Sequence, residues 1–157
     1  MIDKLRLLWR PPKLKIFRTM WYSLLFRKKV IVTGPIQIHG HHKNIIIRDS
    51  VTINSYTILC TDEKSKIILN NNVRISFSCV LVTVGLDVNN LGMKRTHIPY
   101  GDIILEENVW LGSGSIVLGN VKIGKNSVVA AGSVVTEDIP PNCVVAGIPA
   151  KIVKRLE

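Results

Sequence analysis

Residues 105–140 repeat every six positions, and this period limits the fold more than any other feature of the sequence. In six consecutive hexads the first position is aliphatic and the fifth is small or β-branched. A helix with about 3.6 residues per turn would scatter the aliphatic side chains over several faces. A plain antiparallel sheet would need alternation with turn signals, which long stretches here lack. The aliphatic positions are Leu105, Leu111, Val117, Ile123, Val129 and Val135.

A short strand with a bend after every sixth residue explains the pattern. Each sixth side chain then points inward, and stacked coils bury these side chains as continuous ladders. Three hexads make one triangular coil of about 18 residues. The same register covers residues 47–58 and 69–86, and a slip of four residues between Leu59 and Leu69 predicts a small bulging loop at 61–66. We therefore predict an all-β chain that forms a parallel β-helix over residues 31–157 and ends in a short C-terminal helix or tail.

The composition suits such a lattice. Of the 157 residues, 46% are hydrophobic but only 6% are aromatic, so the core must be built from small aliphatic side chains. Cys60, Cys79 and Cys143 are odd in number and have no CxxC spacing. This argues against a zinc ribbon or a disulfide framework, and we expect a reduced, cytoplasmic setting.

The net charge of +10 is concentrated at the N-terminus, where residues 1–29 hold nine Lys or Arg and one Asp. Apolar residues between Leu14 and Leu25 follow helical spacing, so we predict a basic amphipathic helical segment over residues 1–30. It either caps the open end of the β-helix or contacts an anionic membrane, and these two roles are compatible. The sequence contains no run of about 20 apolar residues that would span a bilayer. It has no motif for binding nucleic acid.

The hexads break between about residues 85 and 101, which predicts an extruded loop. The interval from Leu81 to Leu105 is a multiple of six, but Asp87, Met93 and Pro99 occupy the positions where the period predicts aliphatic residues. His97 is the only histidine of this loop. The remaining histidines lie together at residues 39–42, without the wide spacing of a shared zinc site. We interpret them as part of a polar first coil or as substrate-side residues, and we expect no metal.

Residues 96–154 resemble the hexapeptide acyltransferases, in particular the galactoside, maltose and capsule-polysaccharide O-acetyltransferases. The resemblance is carried by NVWLG at 108–112, AAGSVVT at 130–136, DIPPN at 138–142 and AGIPAKIVK at 146–154. It implies a left-handed β-helix that forms a homotrimer, with an active site at each interface between neighbouring subunits. It also implies acetyl-CoA as the donor and a free or lipid-linked sugar hydroxyl as the acceptor, in cell-envelope or capsule polysaccharide synthesis.

Acetyl transfer to a hydroxyl needs a base, a donor that stabilises the oxyanion, and close positioning of the two substrates. In the family the base is a histidine that commonly follows the strand matching Val80–Val84, but this chain has Gly-Leu-Asp at 85–87. His97 is therefore the candidate base, and Asp87 the candidate to orient its imidazole. The alternatives are an exposed loop histidine in a degenerate enzyme and a simple turn residue.

The resemblance assigns the other site residues as well. Trp110 would wall the acceptor and pantetheine channel or pack at an interface, and Asn89 of the loop would contact the acceptor. Ser113 matches the position whose backbone amide serves the oxyanion, while Gly112 lets the thioester approach closely. The remaining candidates for binding CoA are Ala131, Thr136, Lys151, Lys154 and Arg155. For the basic C-terminus the alternative is a solvated turn.

Two other functions stay open at this point. The same fold and donor would serve N-acetylation of an amino sugar, including a nucleotide-linked one. A non-catalytic β-helix scaffold would also explain the missing histidine at residues 85–87. We expect the protein in the cytoplasm, where the basic N-terminus would suit work at the inner face of the membrane.

Overall fold

The computed structural model describes residues 30–87 and 97–157, which form short strands wound into stacked coils. The first coil holds β1 (Val30–Val32), β2 (Gln37–His39) and β3 (Ile45–Ile47), and the second holds β4 (Val51–Ile53), β5 (Ile58–Cys60) and β6 (Ile67–Leu69). The third holds β7 (Arg74–Ile75), β8 (Val80–Val82), β9 (Val84–Leu86), β10 (His97–Pro99) and β11 (Ile103–Leu105). The fourth holds β12 (Trp110–Leu111), β13 (Ile116–Leu118) and β14 (Val121–Ile123). The fifth holds β15 (Val128–Val129) and β16 (Val134–Val135) and ends at Ile139, which bridges to Ile123. β17 (Cys143–Gly147) and β18 (Ala150–Arg155) follow, and a 3-10 turn spans His42–Asn44.

The strands stack into three flat faces. Face A contains β1, β4, β7, β12, β15, β17 and β18, face B contains β2, β5, β8, β13 and β16, and face C contains β3, β6, β11 and β14. Successive coils pair in parallel, for example Leu59 with Leu81 on face B. The predicted parallel β-helix is confirmed.

The inward side chains of each face form a ladder along the helix axis. On face A, Ile53, Ile75, Leu111 and Val129 are fully buried and lie in consecutive coils. Burying such a side chain stabilises the fold by about 1.5–3 kcal/mol relative to leaving it exposed. The sixfold period of the sequence therefore corresponds to the inward positions of the coils.

All departures from the six-residue period lie at one edge of the prism. From face A to face B the inward residues are always six apart, as in Ile53 to Leu59. From face B to face C the interval is ten residues between Leu59 and Leu69, and 24 between Leu81 and Leu105. It shrinks to four between Val135 and Ile139. We call this edge the BC edge and the opposite border of face B the AB edge.

Left-handed backbone turns the chain at the corners. Asn108, Asn126 and Asn142 have φ near +60° at the corner between faces C and A. Their side chains form a ladder, in which the Asn108 amide donates to Asn126 Oδ1 at 2.9 Å and the Asn126 amide donates to Asn142 Oδ1 at 2.8 Å. Asn tolerates this conformation better than most residues, which explains its recurrence at this corner.

The C-terminal stretch corrects one expectation. Instead of a short helix or tail, residues 150–155 form β18, which pairs antiparallel with β17 at the end of face A. Gly147 has a φ of +104° and reverses the chain, and β-branched Ile152 and Val153 favour a strand over a helix. The strand also satisfies backbone groups that the last edge of the sheet would otherwise expose.

The predicted N-terminal segment over residues 1–30 lies outside the described residues, apart from Val30, which begins β1. Within residues 30–87 and 97–157, no helix is long and apolar enough to cross a bilayer.

Candidate active site

An antiparallel ribbon leaves the β-helix at the BC edge of the third coil. Its strands β9 and β10 pair Val84 with Pro99, Gly85 with Ile98 and Leu86 with His97. Asp87 follows Leu86 directly and is partly buried, so the backbones of Asp87 and His97 lie at the same end of the described ribbon. Asn89 lies outside the described residues.

The base of this ribbon is anchored by a buried polar network. Ser65 Oγ lies 2.6 Å from Asp62 Oδ1 and 2.7 Å from Thr83 Oγ1. Because an ionised carboxylate only accepts, Ser65 donates to Asp62 and Thr83 donates to Ser65. The Asp62 carboxylate also accepts from the amides of Lys64 and Ser65. Burial alone would raise the pKa of Asp62, but these hydrogen bonds outweigh it and hold the pKa below its ordinary value.

Three predicted site residues lie together at the AB edge. The Gly112 amide donates to the carbonyl of Val129 at 2.8 Å, and a Cβ on Gly112 would lie 2.6 Å from the backbone nitrogen of Ala131. Glycine at 112 is therefore required for the close approach of these two coils. Ser113 is exposed, and its carbonyl accepts a hydrogen bond from the Gly132 amide. Gly112 is partly buried, Ser113 and Ala131 are exposed, and together they form a strip of small residues across two coils.

Trp110 lies beside this strip on the outer surface of face A. Its side chain is 51% exposed, and its Nε1 donates to Ser76 Oγ at 2.9 Å. This hydrogen bond fixes the indole against the preceding coil while leaving much of the ring accessible. Ser76 was missed by the sequence analysis, although a partner for the indole N–H could have been sought in the preceding coil.

The other predicted CoA contacts lie elsewhere. Thr136 lies at the BC edge, where the shortened fifth coil leaves a groove of about 510 Å³. Lys151 Nζ is 3.2 Å from Glu137 Oε2, near the same groove. Lys154 pairs with Val144 on face A, and Arg155 pairs with Cys143. The predicted CoA residues are therefore divided between the two borders of face B and the end of face A.

Face B connects the two borders and presents an apolar surface. Each of its strands β5, β8 and β13 directs two side chains outward, whereas the face C strands β11 and β14 direct one. These outward residues are only partly buried in the single chain. They are Ile58, Cys60, Val80, Val82, Ile116 and Leu118.

The clustered histidines have ordinary polar neighbours. His39 Nε2 lies 3.1 Å from Gln37 Oε1, and His41 Nε2 lies 3.7 Å from Glu63 Oε1. In the part of the chain that the structure describes, no three His, Cys, Asp or Glu side chains are grouped as metal ligands would be.

The six-residue repeat matches a known protein family. Residues 102–137 match the model of the bacterial transferase hexapeptide, which consists of six repeats. This stretch of the chain is therefore similar to the hexapeptide-repeat transferases. The matched residues begin just after the ribbon and end beside the groove at Thr136. They include five of the eleven predicted site residues, which are Trp110, Gly112, Ser113, Ala131 and Thr136.

The chain is similar to several acetyltransferases. It is 37% identical over 125 residues to a galactoside O-acetyltransferase of Lactococcus lactis, which covers 80% of this chain and 59% of the relative. Over 54 residues it is 57% identical to a 2,3,4,5-tetrahydropyridine-2,6-dicarboxylate N-acetyltransferase of Clostridium perfringens, covering 34% of this chain and 23% of the relative. The chain thus spans about three fifths of the length of the first relative and about a quarter of the length of the second.

A solved structure extends the likeness to the whole coil stack. A hexapeptide-repeat acetyltransferase of Vibrio cholerae, complexed with acetyl-coenzyme A, superimposes with a TM-score of 0.75 at 29% identity. The alignment covers 90% of this chain and 78% of the other.

Proposed function

We propose that this protein transfers an acetyl group from acetyl-CoA to a hydroxyl of a sugar. The main support is the strip of small residues Gly112, Ser113 and Ala131 beside the half-exposed ring of Trp110. A strip of amides without bulky side chains suits an extended pantetheine arm, and an adjacent aromatic ring suits a sugar or the thioester. The named acetyltransferase relatives support the reaction class.

In the proposed reaction, His97 takes the proton of the acceptor hydroxyl as its oxygen attacks the thioester carbonyl. The backbone amide of Ser113 donates a hydrogen bond to the oxyanion that forms. The intermediate then collapses, the C–S bond breaks, and the protonated histidine returns the proton to the departing CoA thiolate. Asp87, on the same ribbon, stabilises the imidazolium between these steps. The acetyl group ends on the acceptor oxygen, and the proton of the acceptor hydroxyl ends on the CoA thiol.

We propose further that the site is assembled between copies of the chain in a homotrimer. The ribbon with His97 leaves the BC edge, whereas Ser113 and Trp110 lie at or beside the AB edge, on the other side of face B. A face of about six extended residues is on the order of 20 Å wide. Packing the apolar outer surface of face B against a neighbouring copy would bring the AB edge of one chain near the ribbon of the next. Closed cyclic symmetry follows from one repeated interface.

The first experiment is an acetyl-transfer assay that measures thiol release from acetyl-CoA with a panel of sugars and amino sugars. We expect turnover with a hydroxyl acceptor and a loss of about 100-fold or more in kcat for His97→Ala. Binding of CoA without any release of thiol across the panel would favour the scaffold reading instead. Unchanged turnover in His97→Ala would remove His97 from the mechanism.

Mixing two inactive variants tests the shared site. Trimers assembled from His97→Ala and Trp110→Ala chains would contain some interfaces with an intact His97 on one side and an intact Trp110 on the other. Random mixing should restore activity to about a quarter of the wild-type sites. No recovery in demonstrably mixed trimers would place both residues in one chain's site.

N-acetylation of an amino sugar is the second candidate, and the similarity to the N-acetyltransferase of Clostridium perfringens favours it. The same acceptor panel separates the two reactions, because a free amine and its hydroxyl analogue compete for one base and one donor. Preference for the amine by ten-fold or more in kcat/KM would replace the O-acetyl proposal.

We also propose that the protein acts in the cytoplasm on acceptors for cell-envelope or capsule polysaccharide, at the inner face of the membrane. The support is the charge of residues 1–29. Polybasic segments gain about 1 kcal/mol per Lys or Arg at an anionic surface. Cosedimentation with anionic but not neutral liposomes is the expected result, and equal partition in both would argue against membrane recruitment.

A further inference from the structure

Tyr100 sits where the ribbon rejoins the β-helix, and its contacts join the two. Its backbone amide donates to the carbonyl of Thr83 at 2.7 Å, which closes the neck of the ribbon. Its Oη donates to the carbonyl of Leu86 at 3.2 Å. Leu86 pairs with His97 and precedes Asp87, so the Tyr100 side chain contacts the residue that neighbours both members of the proposed acid-base pair.

Two glycines make room for this side chain. A Cβ on Gly85 would overlap the Tyr100 ring, and a Cβ on Gly119 would lie 2.8 Å from Tyr100 Cβ. The Tyr100 side chain therefore lies against the ribbon at Gly85 on one side and against the fourth coil at Gly119 on the other. Any larger residue at these two positions would require the Tyr100 side chain or the neighbouring backbone to move.

The body side of the contact is rigid. Thr83 is fully buried, its amide donates to the Cys60 carbonyl, and its hydroxyl joins the Ser65–Asp62 network. Gly119 belongs to the corner between β13 and β14, whose core residues are buried. A side chain held on a rigid scaffold can fix the ribbon that it touches, whereas an exposed two-stranded ribbon is marginally stable by itself.

We infer that Tyr100 is a positioning residue for the proposed acetyl transfer: it clamps the ribbon to the β-helix through Gly85 and the Leu86 carbonyl and so sets the position of the His97–Asp87 end. The inference depends on the proposed function for its catalytic meaning. The clamp itself is a structural statement that can be tested without activity.

Amide hydrogen exchange measures the clamp directly in the full chain. In Tyr100→Ala we expect the amides of β9 and β10 to exchange at least about ten-fold faster, while those of β11 and β13 keep their protection. Tyr100→Phe keeps the ring but loses the hydroxyl, and it should show a smaller increase. Tyr56→Phe is the matched control, since it removes a tyrosine hydroxyl from the body of the β-helix, and it should leave the ribbon unchanged.

A double-variant cycle separates the clamp from a general loss of stability. Gly85→Ala should displace the ring and accelerate exchange in the ribbon, but it should add little in a Tyr100→Ala background, where there is no ring to displace. Additive effects of the two substitutions would overturn the clamp, and so would unaltered ribbon exchange in Tyr100→Ala.

Steady-state kinetics then test whether the Tyr100 clamp matters for acetyl transfer. Tyr100→Ala should lower kcat by about ten-fold or more with the KM for acetyl-CoA within about two-fold, because the proposed donor strip at the AB edge is untouched. A faster-exchanging ribbon with unchanged kcat would overturn the positioning role. If the wild-type protein shows no transfer, the proposed function fails, and the exchange data still decide whether the clamp exists.

Discussion

Leu86 and His97 occupy paired positions across the antiparallel ribbon that leaves the third coil. Paired residues of antiparallel strands have Cα atoms about 4.5–5.5 Å apart. Leu86 also stands in residues 85–87, where the resemblance to the sugar acetyltransferases leads us to expect a histidine. The two strands of the ribbon thus offer neighbouring positions from which an imidazole could serve the same acceptor.

This pairing predicts that the base can be moved across the ribbon. In a His97→Ala background, Leu86→His should regain about ten-fold or more of the lost kcat, because the two positions are neighbours. The measurement is kcat for acetyl-CoA-dependent turnover in both variants. Leu86→Ala in the same background is the control and should regain nothing, and equal activity of the two double variants would contradict the prediction.

The ladder of asparagines at the corner between faces C and A predicts a graded loss of stability. Asn126 accepts from Asn108, donates to Asn142 and has a φ of +60°. Asn126→Ala loses both hydrogen bonds and puts in left-handed backbone a residue that tolerates it less well than Asn, so we expect about 1–3 kcal/mol of destabilisation. Asn126→Gly loses the same bonds without the strain and should cost less. Urea unfolding of both variants checks this, and a larger loss for Gly than for Ala would refute it.

The sequence predicted the fold well where the coils are regular and poorly where they are not. The hexads over residues 105–140 determine the inward residues of the fourth and fifth coils. The first coil escaped the pattern, because nine residues separate Ile38 from Ile47 at the BC edge. β18 was missed because it pairs antiparallel after a chain reversal, which the hexad period does not describe.

The same difference between regular and irregular coils decides which parts of the candidate site could be predicted from the sequence. Ser113 and Ala131 are 18 residues apart, one regular coil, so their proximity follows from the period and could be predicted. The placement of Thr136 depends on the shortened interval from Val135 to Ile139, and Tyr100 depends on the register of the ribbon. Neither is encoded in a local pattern, since both arise from tertiary pairing.

Asp62 predicts a pH-dependent contribution to stability. Hydrogen bonds from Ser65 and Lys64 hold the pKa of its carboxyl below the ordinary value of 3.8, although burial opposes them. Folding therefore favours the ionised form, and this stability is present above the unfolded-state pKa and lost as pH falls through the folded-state pKa. Asp62→Asn should destabilise the protein at pH 7, and the difference from wild type should shrink between about pH 4 and pH 2.

Chemical unfolding across this range measures the effect. Glu157→Gln, at the exposed C-terminal residue, is the control and should follow the wild-type pH dependence. A difference between Asp62→Asn and wild type that stays constant from neutral to acidic pH would show that ionisation of Asp62 is not linked to folding.

Tyr56 predicts a stabilising substitution. It has a φ of +64° and its side chain is 63% exposed, at a corner where later coils carry Gly114 and Gly132. A bulky residue in left-handed backbone costs about 1–2 kcal/mol, and little buried surface offsets this cost. Tyr56→Asn should therefore raise the free energy of unfolding by about 0.5–1 kcal/mol, because Asn tolerates this conformation. Tyr56→Ala keeps the strain and loses the ring, so it should be neutral or destabilising. Urea midpoints of the two variants distinguish these effects, and a destabilised Tyr56→Asn would show that the exposed ring makes a contact worth more than the strain it imposes.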